Sequence, residues 1–85
     1  MNMAHQYGVI DITAFVPLRS PAIKAVQYAP KFSFIQFVHG GVYAVKNLRK
    51  STMTRLINSQ HPGRFFHQNI WDKYTITKVE EKEIA

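Results

Sequence analysis

Lys46, Arg49, Lys50, Arg55 and Arg64 fall within a stretch of chain that contains no Asp or Glu. Cations gathered in this way can neutralise successive phosphates of a nucleic-acid strand. Arg64 also follows Pro62-Gly63 and precedes a helical turn, where free backbone N–H groups and a guanidinium can converge on one anion. Phe34 and Trp71 supply the second ingredient, flat aromatic faces on which unpaired bases stack. These seven residues are the candidate contacts for a nucleic acid or another partner. Each has a plainer alternative. The cations can form a solvated basic face, Arg64 can decorate the surface while Gly63 caps a helix, and Phe34 can belong to the core.

Catalytic chemistry finds no comparable constellation. The chain has no cysteine, which excludes disulfides, thiolate zinc sites and thiol nucleophiles. His5, His39, His61 and His67 match no zinc-ligand spacing, and surface or turn positions account for them. Paired-carboxylate chemistry requires Asp11 and Asp72 to meet, and no serine lies in a nucleophile-elbow pattern. The expectation is a binding module and not an enzyme, with no cofactor and no metal.

The distribution of charge sharpens the question of the partner. The net charge is +6, yet the acids are confined to Asp11, Asp72 and the cluster Glu80, Glu81 and Glu83. The folded body is therefore more basic than the whole chain and attracts polyanions. An apolar fraction of 46% against 19% charged residues predicts a globular domain, and 85 residues are enough for one core. The N-terminus carries no basic segment followed by an apolar run, and no stretch reaches the ~20 apolar residues that span a bilayer. A soluble, cytoplasmic protein without a membrane partner is expected.

These candidates must be positioned by a sheet and helices. Val9 to Val16 is β-branched and partly alternating, a possible strand ended by Pro17. Ala22 to Tyr28 reads as a strand, closed by Ala29-Pro30. Phe32 to Val38 and Val42 to Lys46 flank His39-Gly40-Gly41, a hairpin signal because glycine supplies the positive φ such turns need. The period then lengthens: Leu48, Thr52, Met53, Leu56 and Ile57 form one stripe of a helix, with Asn47 as N-cap or Ser51 if the helix starts later. His61-Pro62-Gly63 ends it, Arg64 to Trp71 forms a short second helix, and Tyr74 to Val79 a last strand before the charged tail 80–85. The cations at the start of the first helix oppose its dipole, so they are not there to stabilise it. The fold class is α+β: a small antiparallel β-meander of three or more strands, one main helix packed on it, a short second helix and a final strand.

From about Ser20 to Tyr74 the order of features resembles the KTSC domain, a short module at the C-terminus of some lysyl-tRNA synthetases and also a stand-alone bacterial protein. The resemblance rests on Ser20 with Pro21 to Tyr28, on Phe34 to Tyr43 at the hairpin, on Leu48, Thr52, Met53, Leu56 and Ile57, and on His61 to Tyr74. The last segment is the most specific, since the family pattern there is Ser-Lys-Gly-x-Tyr-Phe-x-x-x-Ile-x-x-x-Tyr. Gly63, Phe66, Ile70 and Tyr74 match it, and Phe65 nearly does. The family's Tyr-x-Tyr is Tyr43-Ala44-Val45 here, its Val-Pro is Leu48-Arg49, and its Ser-Lys is His61-Pro62, so roles of the second Tyr and of that Lys do not carry over. Trp71 stands where the family is typically polar. The resemblance implies the meander-and-helix fold, a domain over 20–79 with an N-terminal segment 1–19 that can add a strand, and RNA binding.

Alternation along the hairpin puts Ile35, Phe37, Tyr43 and Val45 toward the helix and Phe34, Gln36, Ala44 and Lys46 on the other face. An open second face makes Phe34 a stacking platform beside Lys46. A covered one makes it core. The expected function is binding of RNA or single strands through Lys/Arg phosphate contacts and aromatic stacking. The alternative is a protein-interaction module, such as a small viral or bacterial accessory protein that docks on an acidic partner complex, with Trp71 or Phe34 as anchor.

Overall fold

The structure is a computed structural model that describes residues 7–85. Five strands, β1 (Val16–Pro17), β2 (Ile23–Gln27), β3 (Phe32–Phe37), β4 (Gly41–Lys46) and β5 (Ile76–Lys78), form one sheet in chain order, each antiparallel to the next. Two helices, α1 (Lys50–Asn58) and α2 (Pro62–Asn69), connect β4 to β5. The α+β meander read from the sequence is present, with one further strand at each edge, β1 from the N-terminal segment and the final strand β5.

The hairpin registers Phe37 against Gly41 and Phe34 against Ala44. Gly40 and Gly41 both have positive φ, which carries the chain around the tight connection without a Cβ penalty. Ile35 and Val45 are buried under the helices with Leu48, Met53, Leu56, Phe66 and Ile70, and Phe37 packs against this cluster. In β2 the alternation breaks: Ile23 faces Phe37 while Ala25 faces Gln36, a bulge at Lys24. The extra residue lets Ile23 and Val26 both enter the core beneath the helices, while Ala25 joins the opposite face.

That opposite face is covered. Ile10, Phe15, Ala25, Phe34, Val42, Ala44 and Val79 form a second buried cluster, with Tyr7, Ile12, Phe32 and Ile84 packed on it. Phe34 is only 7% exposed, stacked with Phe15 at 6.1 Å and met edge-on by Tyr7 at 5.5 Å. The stacking platform at Phe34 is thus corrected: the N-terminal segment removes the ring from solvent, and leaving so much apolar surface open would cost the domain more than folding over it.

Several boundaries also differ. Val9 to Val16 is not one strand. The Asp11 side chain accepts a hydrogen bond from the Thr13 N–H at 3.0 Å and another from its hydroxyl, capping a 3₁₀ turn at Ile12–Ala14, so only Val16–Pro17 pairs. Those bonds hold the Asp11 carboxyl below the usual range. Pro17 lies within the pairing and not after it, on an edge strand where its missing N–H is tolerated. Asn47 is no N-cap: with φ 56° it makes the left-handed turn out of β4, and Arg49 occupies the cap position of α1 without a side-chain bond. Pro62 and Gly63 lie inside α2 and not between the helices, with Pro62 in the first turn, where a proline loses no helical bond. The charged end of the chain folds back: Glu81–Glu83 form a 3₁₀ turn, Ile10 N–H donates to Glu83 O, and Ala85 N–H to Ile10 O, each at 2.8 Å.

Candidate functional site

The basic groove begins with the way α1 starts. Its cap residue, Arg49, makes no side-chain cap bond, and its first turn contains no acid. This end of a helix carries partial positive charge, and Arg49 and Lys50 add to it instead of offsetting it. Arg49, Thr52 and Arg55 recur every three residues and so project along one side of the helix. Opposite them stand Asn69, at the end of α2, and Lys73 and Tyr74 in the following segment. Together the six residues line a groove of about 400 Å³.

Three of the six are cations and none is an acid. Among the described residues the ion pair is Lys82 with Glu80, far along the chain from the groove, and residues 1–6 contain no Asp or Glu. Asp72 is exposed beside Lys73 in sequence but does not line the groove. Two contacts give the walls a fixed shape. The Arg55 guanidinium lies 5.3 Å from the centre of the Phe65 ring, a cation–π contact from α1 to α2. Asn69 Nδ2 donates to Phe65 O at 3.1 Å. A cationic, polar cleft of this kind can hold a phosphate by charge and by hydroxyl and amide hydrogen bonds.

Of the seven candidate residues, only Arg49 and Arg55 are brought together here. Lys46 ends β4 and Lys50 begins α1, both exposed and outside the groove lining. Arg64 lines a separate depression of about 200 Å³ with Ser20, Ala22 and Gln60, at the start of α2. There Gly63 is close against Ala22, the residue just before β2: a Cβ on Gly63 would lie 2.8 Å from the Ala22 Cβ. Gly63 therefore serves close helix–sheet packing and not the capping of α1. Trp71 is 49% exposed, its ring 6.1 Å from those of Phe66 and His67, and it lines neither groove.

Lys73, Thr52, Asn69 and Tyr74 were not among the sequence candidates. Lys73 sits next to Asp72, which disguises it in a reading by charge runs, and Tyr74 reads as the start of a strand. The available signal was the three-residue spacing of Arg49, Thr52 and Arg55, which marks one helix side. Of the histidines, His5 lies outside the described residues, and among the described residues no three His, Cys, Asp or Glu side chains cluster. No helix among them is long and apolar enough to cross a membrane.

A single five-stranded meander with a helix pair between its last two strands, and Gly63 pressed on the residue that leads into β2, defines the class of this domain. The family model for the KTSC domain matches residues 19–74, and the chain belongs to the KTSC domain family. Among solved structures it is similar to the KTSC domain protein YPO2434 from Yersinia pestis, with a TM-score of 0.73 and 25% sequence identity over 78% of this chain and 96% of that one. No curated protein matches it.

Proposed function

We propose that this chain is a non-enzymatic module of the cytoplasm that binds RNA or single-stranded nucleic acid, with the groove of Arg49, Arg55 and Lys73 as its phosphate site. The observation that carries the reading is that three cations without an acidic partner, Arg49, Arg55 and Lys73, line one groove. Like charges that share a groove without a counter-ion leave a positive potential there, which attracts an anion from outside. Tyr74 in the groove wall replaces Phe34 as the aromatic available beside the phosphates. The resemblance to a family with expected RNA binding points the same way.

The test is fluorescence-anisotropy binding to single-stranded RNA, single-stranded DNA and duplex, at low and near-physiological salt, beside an Arg49→Ala, Arg55→Ala, Lys73→Ala variant. The reading requires binding to single strands that persists near physiological salt and is lost in the variant. Weak low-salt binding, equal in both proteins, sinks it. Half-exposed Trp71 favours a second reading, a protein-docking module, because tryptophan anchors are enriched at interfaces. A Trp71→Ala variant with unchanged RNA affinity and a lost protein partner supports that alternative.

A further inference from the structure

The groove is small and gathers its three cations together, and this bears on which phosphate it suits. Cations that track a strand are strung along a surface at the spacing of successive phosphates. Here Arg49, Arg55 and Lys73 instead share one cleft of about 400 Å³ with Thr52, Asn69 and Tyr74. That volume is at the small end of small-molecule sites, which run from roughly 300 to 1,000 Å³. That is the size of about one nucleotide unit. Three cations facing one phosphate overmatch an internal phosphodiester, which carries a single charge. A terminal phosphomonoester carries about −1.5 to −2 at neutral pH and offers three acceptor oxygens. Arg55, held against Phe65, and Arg49, at the uncapped start of α1, are placed to share them.

We infer that the groove is a terminal-phosphate site, selective for a dianionic phosphomonoester at a strand end or on a free nucleotide over an internal phosphodiester. This rests on the assignment of the groove as a phosphate site. The two sources of the same chemistry, a strand end and a free nucleotide, are separable by experiment.

The full chain is titrated near physiological salt with one single-stranded RNA in three forms: unphosphorylated, 5′-phosphorylated and 3′-phosphorylated. A nucleoside 5′-monophosphate serves as competitor and as a ligand by itself. The expected result is that at least one phosphorylated form binds about tenfold tighter than the unphosphorylated strand, a difference that an Arg49→Gln, Lys73→Gln variant abolishes. Thermal melting verifies that this variant is folded. If it is not, competition of the monophosphate for the native protein decides the matter, with displacement expected and none overturning the inference. Equal affinity for all three forms overturns the terminal-phosphate inference while nucleic-acid binding stands. Binding of the monophosphate alone, with no strand bound, upholds the terminal-phosphate site and ends the nucleic-acid reading. No binding of any form overturns both.

Discussion

The Arg55 guanidinium rests 5.3 Å from the centre of the Phe65 ring, so one side chain joins α1 to α2 and at the same time forms a wall of the basic groove. Replacing the ring with an aliphatic group keeps much of the packing but removes the contact that holds the cation. Phe65→Leu is expected to lose about 1 kcal/mol of stability, the order of a partly exposed cation–π contact. It should also weaken single-strand binding several-fold, because Arg55 must then be ordered by the ligand itself. Urea unfolding and anisotropy on the same preparation measure the two effects.

Gly63 is constrained by the residue that leads into β2. A methyl group on Gly63 meets the Ala22 Cβ at 2.8 Å, well inside contact distance, and neither atom is the end of a flexible side chain. Gly63→Ala is expected to destabilise by about 1–3 kcal/mol through overpacking. Ala22→Gly removes the opposing methyl, so the double variant should recover part of that loss, and a double-mutant cycle on chemical denaturation reads the coupling. Simple additivity would show that the two residues do not touch in solution.

Phe34 distinguishes a core from a platform. Phe34→Ala removes a buried ring stacked on Phe15, and is expected to cost about 3–5 kcal/mol of stability. At a temperature where the variant remains folded, its affinity for single strands should match that of the native protein. A selective loss of binding without a loss of stability would restore the platform.

The end of the chain is structural. Ile84 packs on the second cluster, and the backbone of Ile10 bonds to both Glu83 and Ala85. Deleting 80–85 is expected to lower stability by about 2 kcal/mol, roughly 10 °C in melting temperature for a domain of this size. Circular dichroism melting measures it.

Salt dependence reports how many phosphate contacts the groove makes. Three cations on a strand end release at most about three counter-ions, a slope of log affinity against log salt no steeper than about −2, and each cation removed should reduce it by up to about 0.7. Arg49→Ala, Arg55→Ala and Lys73→Ala are each expected to show that reduction, and Lys46→Ala and Lys50→Ala much less. Equal slopes across all five variants would mean a diffuse basic face.

The hairpin, both helices and the sorting of Ile35, Phe37 and Val45 toward α1 were legible because they follow from short-range rules: glycines in a turn, a period of two, then a period near 3.6. The covering of Phe34 was not. It depends on contacts between residues near 7–15 and residues near 79–84, and no local period encodes which chain end folds over a sheet face. The bulge at Lys24 was hidden for a similar reason, since β2 read as a plain strand while its register is set by the partner β3. In the groove, Arg49 and Arg55 were legible as cations. Lys73 and Tyr74 come from the segment after α2, and only the packing of α1 against α2 brings them near. Asn47 looked like a cap because the residue type suits one, but the chain needs a left-handed turn there first.

The measurement that bears most directly on the groove is a titration of isotope-labelled protein with a single-stranded RNA, followed by backbone amide and tryptophan indole chemical shifts near physiological salt. The expected result is that shifts concentrate at Arg49, Thr52, Arg55, Asn69, Lys73 and Tyr74, while Ser20, Gly63, Arg64 and the Trp71 indole hold still. Shifts gathered at Arg64 or Trp71, or spread evenly over every basic residue, would contradict the assignment.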